Sequence, residues 1–208
     1  MHLIDITRDI TTAEVYPGDP PTVVRRVKTI GEESDYNLSV LCTCVHAGTH
    51  MDAPLHFIEN GAGVTELPSE AFIGPCTVLE IKDSPITGEC VNRRFPQNAE
   101  RVLIKGNGEV TFMDSAAFEA AELPLRLIGT DALSVGMQGS ELQTHKAFLR
   151  KGIVILEGLD LSAVEPGNYV LIALPMKIGD AEGAPARAFL ADDYVFWSKP
   201  LEQPKIRR

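Results

Sequence analysis

Histidine is scarce in this chain, with five among 208 residues, and tryptophan occurs once. Cysteine is limited to Cys42, Cys44, Cys76 and Cys90. The number is even, but the N-terminus "MHLIDITRDI" lacks the charged-then-apolar pattern of a secretory signal, so buried thiols are expected and a disulfide framework is not. Cys42 and Cys44 are separated by one residue, unlike the usual zinc-ligand spacing, and no second pair accompanies them. Positive charge is also short: 19 Lys and Arg stand against 29 Asp and Glu, a formal net charge of −10. The basic clusters Arg25-Arg26, Arg93-Arg94 and Lys205-Ile206-Arg207-Arg208 are too brief to make a nucleic-acid surface, because phosphate affinity needs many such groups together. No apolar run approaches the roughly 20 residues of a membrane helix. A cytoplasmic protein acting on a small molecule is therefore expected. There is no G-x-S-x-G elbow, which excludes the usual serine hydrolase, and "GNGEV" lacks the Lys-Ser/Thr of a phosphate loop.

What is present is an ordinary globular composition, 44% hydrophobic and 23% charged. Without a repeat, a linker or a composition break, residues 1–208 are expected to form a single domain. Strand-like runs dominate: "LIDIT", "TVVRRVK", "YNLSVLCTCV", "TVLEIK", "RVLIKG", "RLIGTD", "IVILE", "YVLIALP" and "AFLADDYVF". Helices are expected at 114–121 and 141–151, the second opened by a Ser140/Gln143 capping box and stopped by Gly152. The pattern is that of an α/β fold with a mixed β-sheet.

Residues 46–57 read "HAGTHMDAPLHF" and hold three of the five histidines. Side chains on extended chain alternate faces, so His46, His50, Asp52 and His56 would point to one side. A helix would scatter them, and Pro54 would break it. Gly48 marks a bend or a close backbone approach. A lone histidine is more often a core or surface residue than a ligand. Four such groups at one-face spacing instead suggest two imidazoles and a carboxylate converging on a catalytic divalent cation.

A second constellation lies in "SELQTHKAFLRKGIVILEGL". His145 falls three residues after Leu142 and four before Leu149, on the apolar stripe of its helix. The buried strand "IVIL" then ends in Glu157, a carboxylate that is costly to bury unless paired or metal-bound. Taken alone, this stretch is explained by a buried His–Glu hydrogen bond. Taken with the first segment, it completes a shared site in which Asp52 can bridge two ions.

Together these segments resemble the cyclase-like metal-dependent hydrolases, the family that includes bacterial kynurenine formamidase and isatin hydrolase. "YPGDP", "GTD", "HKAFL", "ILEGLDL", "YVLIALPMKI" and "GAPARAFL" extend the resemblance along nearly the whole chain. The resemblance implies a swivelling β/β/α fold and a homodimer. It implies that His46, His50 and Asp52 hold one metal and Asp52, His145 and Glu157 a second, the two divalent ions being zinc, with manganese as the alternative. His56 would be the general acid/base, since imidazole takes and gives protons near neutrality. Tyr16 stands where kynurenine formamidases carry Trp and would stack on the substrate, or would be a plain loop aromatic. The implied activity is hydrolysis of N-formylkynurenine to kynurenine and formate in tryptophan degradation. Isatin-like lactams, cyclic amides, carbamates and a cyclisation or dehydration stay open as alternatives, as does a non-catalytic metal-binding protein. Asp131 and Arg187 are expected to support the fold or the site indirectly, and Lys105 and Lys177 to be solvated.

Overall fold

A computed structural model describes residues 2–31 and 34–192. In chain order the strands are β1 (Leu3–Asp5), β2 (Val23–Lys28), β3 (Leu38–Cys42), β4 (His50–Asp52), β5 (Ile73–Glu80), β6 (Arg101–Lys105), β7 (Leu127–Thr130), β8 (Val154–Glu157), β9 (Gly167–Pro175) and β10 (Gly183–Ala191). The helices are α1 (Gly88–Arg94), α2 (Asp114–Ala120) and α3 (Glu141–Leu149), and single 3-10 turns lie at Pro54–His56, Val64–Glu66 and Ser69–Ala71.

The near-continuous apolar runs of β6, β7 and β8 are buried on both faces, as parallel strands covered on each side must be. They form parallel ladders with β5 in the order β5-β6-β7-β8. β4 joins β8, β10 joins β4 and β9 joins β5, all antiparallel. β9 also pairs with β10 over Ala186–Ala191, so the mixed sheet closes on itself, while β1 extends the other edge of β10.

Period-two alternation splits the core in two. Leu103, Leu127, Val154 and Leu156 pack into one apolar cluster with Met51 and residues of β9 and β10. Val102, Ile104, Ile128 and Ile155 face the other way, toward the helices, with Ala116, Ala117, Ala120 and Phe148. α1 and α2 span seven residues each, too short to hold together alone in water. Burial against the sheet holds them, at roughly 1.5–3 kcal/mol for each large apolar side chain removed from water.

Several expectations need correction. α1 was not expected, since "GECVNRR" has no helical apolar stripe; Thr87, which accepts a hydrogen bond from the Cys90 amide, caps it. The Ser140/Gln143 capping box does not form: Ser140 makes no side-chain cap, and the Gly139 amide instead donates to the carboxylate of Glu141 at 2.6 Å. Leu142 is exposed, and the buried stripe of α3 is Thr144, His145, Ala147, Phe148 and Leu149. Of the four free thiols only Cys76 is buried; Cys42 is exposed and the other two lie between. Lys105 is half-buried rather than freely solvated, its Nζ donating to the Val164 carbonyl at 2.6 Å. Asp131 accepts from the Gly106 amide through both oxygens at 3.0 Å, and Arg187 pairs with Asp5, so both support the fold. Gly152 does stop α3, at φ +72°. The end of "AFLADDYVF" and the basic cluster 205–208 lie outside the described residues.

Candidate metal centre

The six predicted groups meet at one cavity, although they do not all reach it by the expected route. Extended chain covers only His50–Asp52. Within that strand the alternation holds, since Met51 points into the apolar cluster and His50 and Asp52 point to the opposite face. Antiparallel register sets His50 directly opposite Glu157 on β8, so the end of the "IVILE" run delivers its carboxylate to the same face. His145 comes from α3 above that face. His46, by contrast, approaches through a turn centred on Gly48, whose φ of +62° is the left-handed conformation that glycine adopts freely. His56 sits on the 3-10 turn after Pro54.

His46 Nδ1 lies 2.9 Å from Asp52 Oδ1, and His50 Nε2 lies 3.5 Å from both Asp52 Oδ1 and Glu157 Oε2. His145 Nε2 is 3.3 Å from Glu157 Oε1 and 3.6 Å from Asp52 Oδ2. Asp52 is fully buried. The other face of two imidazoles is fixed by backbone: Nδ1 of His50 donates to the Gly48 carbonyl and Nδ1 of His145 to the Glu141 carbonyl, each at 2.9 Å. That turns both Nε2 atoms toward the carboxylates of Asp52 and Glu157, where they donate in the metal-free protein and would face an ion once deprotonated, the arrangement by which outer hydrogen bonds orient metal-ligating histidines.

Two buried atoms, His46 Nε2 and Asp52 Oδ2, have no hydrogen-bond partner among the described residues. Leaving such groups unpaired costs free energy that a bound cation would recover. Among the described residues two three-membered groups have donor atoms close enough to hold an ion, His46–Asp52–His56 and His50–Asp52–Glu157. Asp52 belongs to both. The donor set thus fits a divalent cation, and borderline nitrogen and oxygen ligands suit transition metals and zinc.

The electrostatics agree. Burial alone would lower the pKa of His50, but the carboxylates of Glu157 and Asp52 outweigh it and lift the value to about 9. His145 is likewise raised to about 9 against its own burial, chiefly by Glu157. Glu157 is held below the ordinary carboxylate range in spite of burial, by its hydrogen bonds to His145 and His50. His56 moves the opposite way: burial lowers it, and the neighbouring His46 and His145 add to that against the pull of Asp52. Two imidazoles are therefore built to meet positive charge, and one to stay neutral.

Tyr16, Asp19, Phe57, Leu133, Ser134 and Glu141 complete the lining of the cavity, which measures about 240 Å³. Phe57 stacks on His145 with ring centroids 4.4 Å apart, and His56 stacks on His46 at 4.1 Å. Tyr16 was expected in the site and is there. Asp19, Leu133 and Glu141 were not, because none carries a spacing signal. Gly183 was also missed: it sits opposite Asp52 on β10, and a Cβ there would lie 2.6 Å from the His46 ring.

A kynurenine formamidase of Salinibacter ruber is 38% identical over 92% of this chain and 98% of its own length. One from Sphingopyxis alaskensis is 35% identical over 90% of this chain and 97% of its own. A solved structure described as a potential metal-dependent hydrolase with cyclase activity superposes with a TM-score of 0.79 at 31% identity, covering 91% of this chain and 96% of that one. Isatin hydrolase A from Labrenzia aggregata shares the fold, with a TM-score of 0.78 at 22% identity over 92% of this chain and 94% of its own. The family model described as Putative cyclase matches residues 4–137, and with relatives that align along almost the whole chain, this protein belongs to the putative cyclase family.

Proposed function

We propose that the protein is a metal-dependent amidohydrolase that cleaves an aryl formamide, with N-formylkynurenine as substrate and kynurenine and formate as products. The observation that carries this reading is the convergence of His46, His50, Asp52, His145 and Glu157 with a neutral His56 in one cavity walled by Tyr16 and Phe57. The kynurenine formamidases among its relatives support it.

In this reading His46, His50 and Asp52 hold one zinc ion and Asp52, His145 and Glu157 a second, with manganese as the alternative. Bound ions supply Lewis acidity toward the carbonyl and a nucleophilic water at neutral pH. The aromatic side chains of Tyr16 and Phe57 receive the aryl group. His56 takes a proton from the attacking water and returns it to the departing nitrogen, so the C–N bond breaks to give amine and formate. Its lowered pKa leaves the imidazole neutral and able to accept at pH 7.

The test is hydrolysis of N-formylkynurenine by the metal-loaded protein, followed by the absorbance of the product amine, with and without chelator. Chelator-sensitive turnover is the expected result. Absence of turnover with metal bound overturns the formamidase reading. A cyclic aryl amide such as an isatin-like lactam is the second reading, favoured by Tyr16 in place of Trp, and belongs in the same panel.

The same proposal includes a homodimer in the cytoplasm. The β2–β3 hairpin supports the dimer: every residue of both strands is exposed, Val23, Val24, Leu38, Val40 and Leu41 among them. Val23, Leu38 and Val40 lie on one face of the pair and Val24 and Leu41 on the other, and exposed apolar side chains gathered on one element in this way are the usual mark of an interface. Sedimentation as a monomer would remove it.

A further inference from the structure

One wall of the cavity is tied together and not merely adjacent. The Tyr16 hydroxyl donates to Oε1 of Glu141. The same oxygen accepts from the Gly139 amide at 2.6 Å. Glu141 is the first residue of α3, and its main-chain carbonyl receives Nδ1 of His145 at 2.9 Å. A single residue thus grips the aromatic wall with its side chain and steadies His145 with its backbone.

Tyr16 needs that grip. It lies in the loop between β1 and β2, outside any strand or helix, and is half-buried. Its hydroxyl has no other hydrogen-bond partner among the described residues. A phenol on a loop has two free torsions, and a hydrogen bond from its far end to an ionised carboxylate restrains both. The tie joins residues 125 positions apart, so it fastens the loop to the helix that carries His145.

Resting on the aryl-amide reading above, we propose that Glu141 is a positioning residue for substrate specificity: by clamping the Tyr16 ring it holds a loop aromatic as a fixed flat wall that receives an aryl group. The binding of a planar aryl substrate then depends on Glu141 even where Glu141 does not touch it.

A double-mutant cycle on the metal-loaded protein tests this, with formanilide as substrate. Tyr16→Phe keeps the ring and removes the hydroxyl; Glu141→Ala removes the acceptor. Each raises KM by about tenfold, the lower end of what a hydrogen bond to a charged group contributes, while kcat changes far less. The double variant is no worse than either single one, because both break the same bond. Glu141→Gln, whose amide oxygen still accepts from the phenol, recovers most of the wild-type KM. Additive effects, a loss of kcat with loss of metal, or a Glu141→Gln variant as impaired as Glu141→Ala would each overturn the clamp. If the wild type hydrolyses neither formanilide nor N-formylkynurenine, the formamidase reading fails separately. The cycle is then read as the Kd of fluorescent 2-aminobenzamide, where equal values across the set, or no binding to the wild type, overturn the clamp.

Discussion

Asp52→Asn is the most informative single change in this molecule. The substitution keeps volume and one carbonyl-type oxygen beside His46 Nδ1, so packing around this fully buried position is undisturbed. What it removes is the only charged oxygen common to both candidate ligand groups. The readout is the stability that metal adds. Metal at a thousand times its Kd stabilises the native state by about 4.1 kcal/mol. For a 208-residue chain each kcal/mol moves the unfolding midpoint by roughly 2–4 °C, so saturating metal should raise Tm by roughly 8–16 °C. A thousandfold weakening of affinity brings the linkage down to about 0.4 kcal/mol and the shift to about 1 °C. Thermal unfolding of wild type and variant, each stripped by chelator and then restored with zinc or manganese, measures both numbers, and elemental analysis counts the ions. His46→Ala should keep part of the shift, because His50, Asp52 and Glu157 remain together. An Asp52→Asn protein that retains the wild-type shift and the wild-type metal content would refute the shared-ligand reasoning.

Three further outcomes are expected. His56→Ala should keep its metal and lose roughly 10²–10⁴ in kcat, the usual worth of a positioned acid/base, and the acid limb of the wild-type pH–rate profile should fall below 6.5, because burial lowers this imidazole; full activity in the variant removes the role. Metal uptake at pH 7 should release protons, since His50 and His145 are raised to about 9 in the metal-free protein and must be neutral to ligate. With folded values above the unfolded 6.5, their contribution to metal-free stability is complete below pH 6.5 and fades as pH rises through 9; calorimetry in buffers of different ionisation enthalpy that finds no proton release would contradict this. Gly183→Ala should weaken metal binding by about tenfold to a hundredfold, the range seen when the orientation of a ligand is disturbed, because its methyl would collide with the His46 ring; unchanged affinity would show that His46 is not held where the structure puts it.

The sequence was legible wherever local periodicity decides the outcome. Alternation placed His50 and Asp52 on one face, and a helix stripe turned His145 inward. The carboxylate at the end of "IVILE" was suspect on desolvation grounds alone. Legibility failed where the deciding contact is distant in sequence. His46 reaches the site by a turn that depends on Gly48 and on the absence of a side chain at Gly183, and only the ladder between β4 and β10 brings that glycine near. The closure of the sheet rests on pairing between β9 and β10, and nothing in either run announces the partner of its second edge. Glu141 was invisible for a different reason: it occupies the place of an ordinary first-turn acid, and its tie to Tyr16 crosses from one end of the chain to the middle.

β4 is three residues long, flanked by β8 on one side and β10 on the other. A slip of one position would turn Met51 outward and drive His50 and Asp52 into the apolar interior. At the edge of a sheet such a strand could creep along its single neighbour; between two neighbours it must break both ladders at once. The facing of His50 and Asp52 is therefore held by the two flanking ladders more than by the three residues of the strand themselves. For protein engineering, the transplantable unit is the ring with its seam intact. A histidine-rich cassette grafted onto the edge of an open sheet would carry the right letters and no means of keeping them pointed the same way.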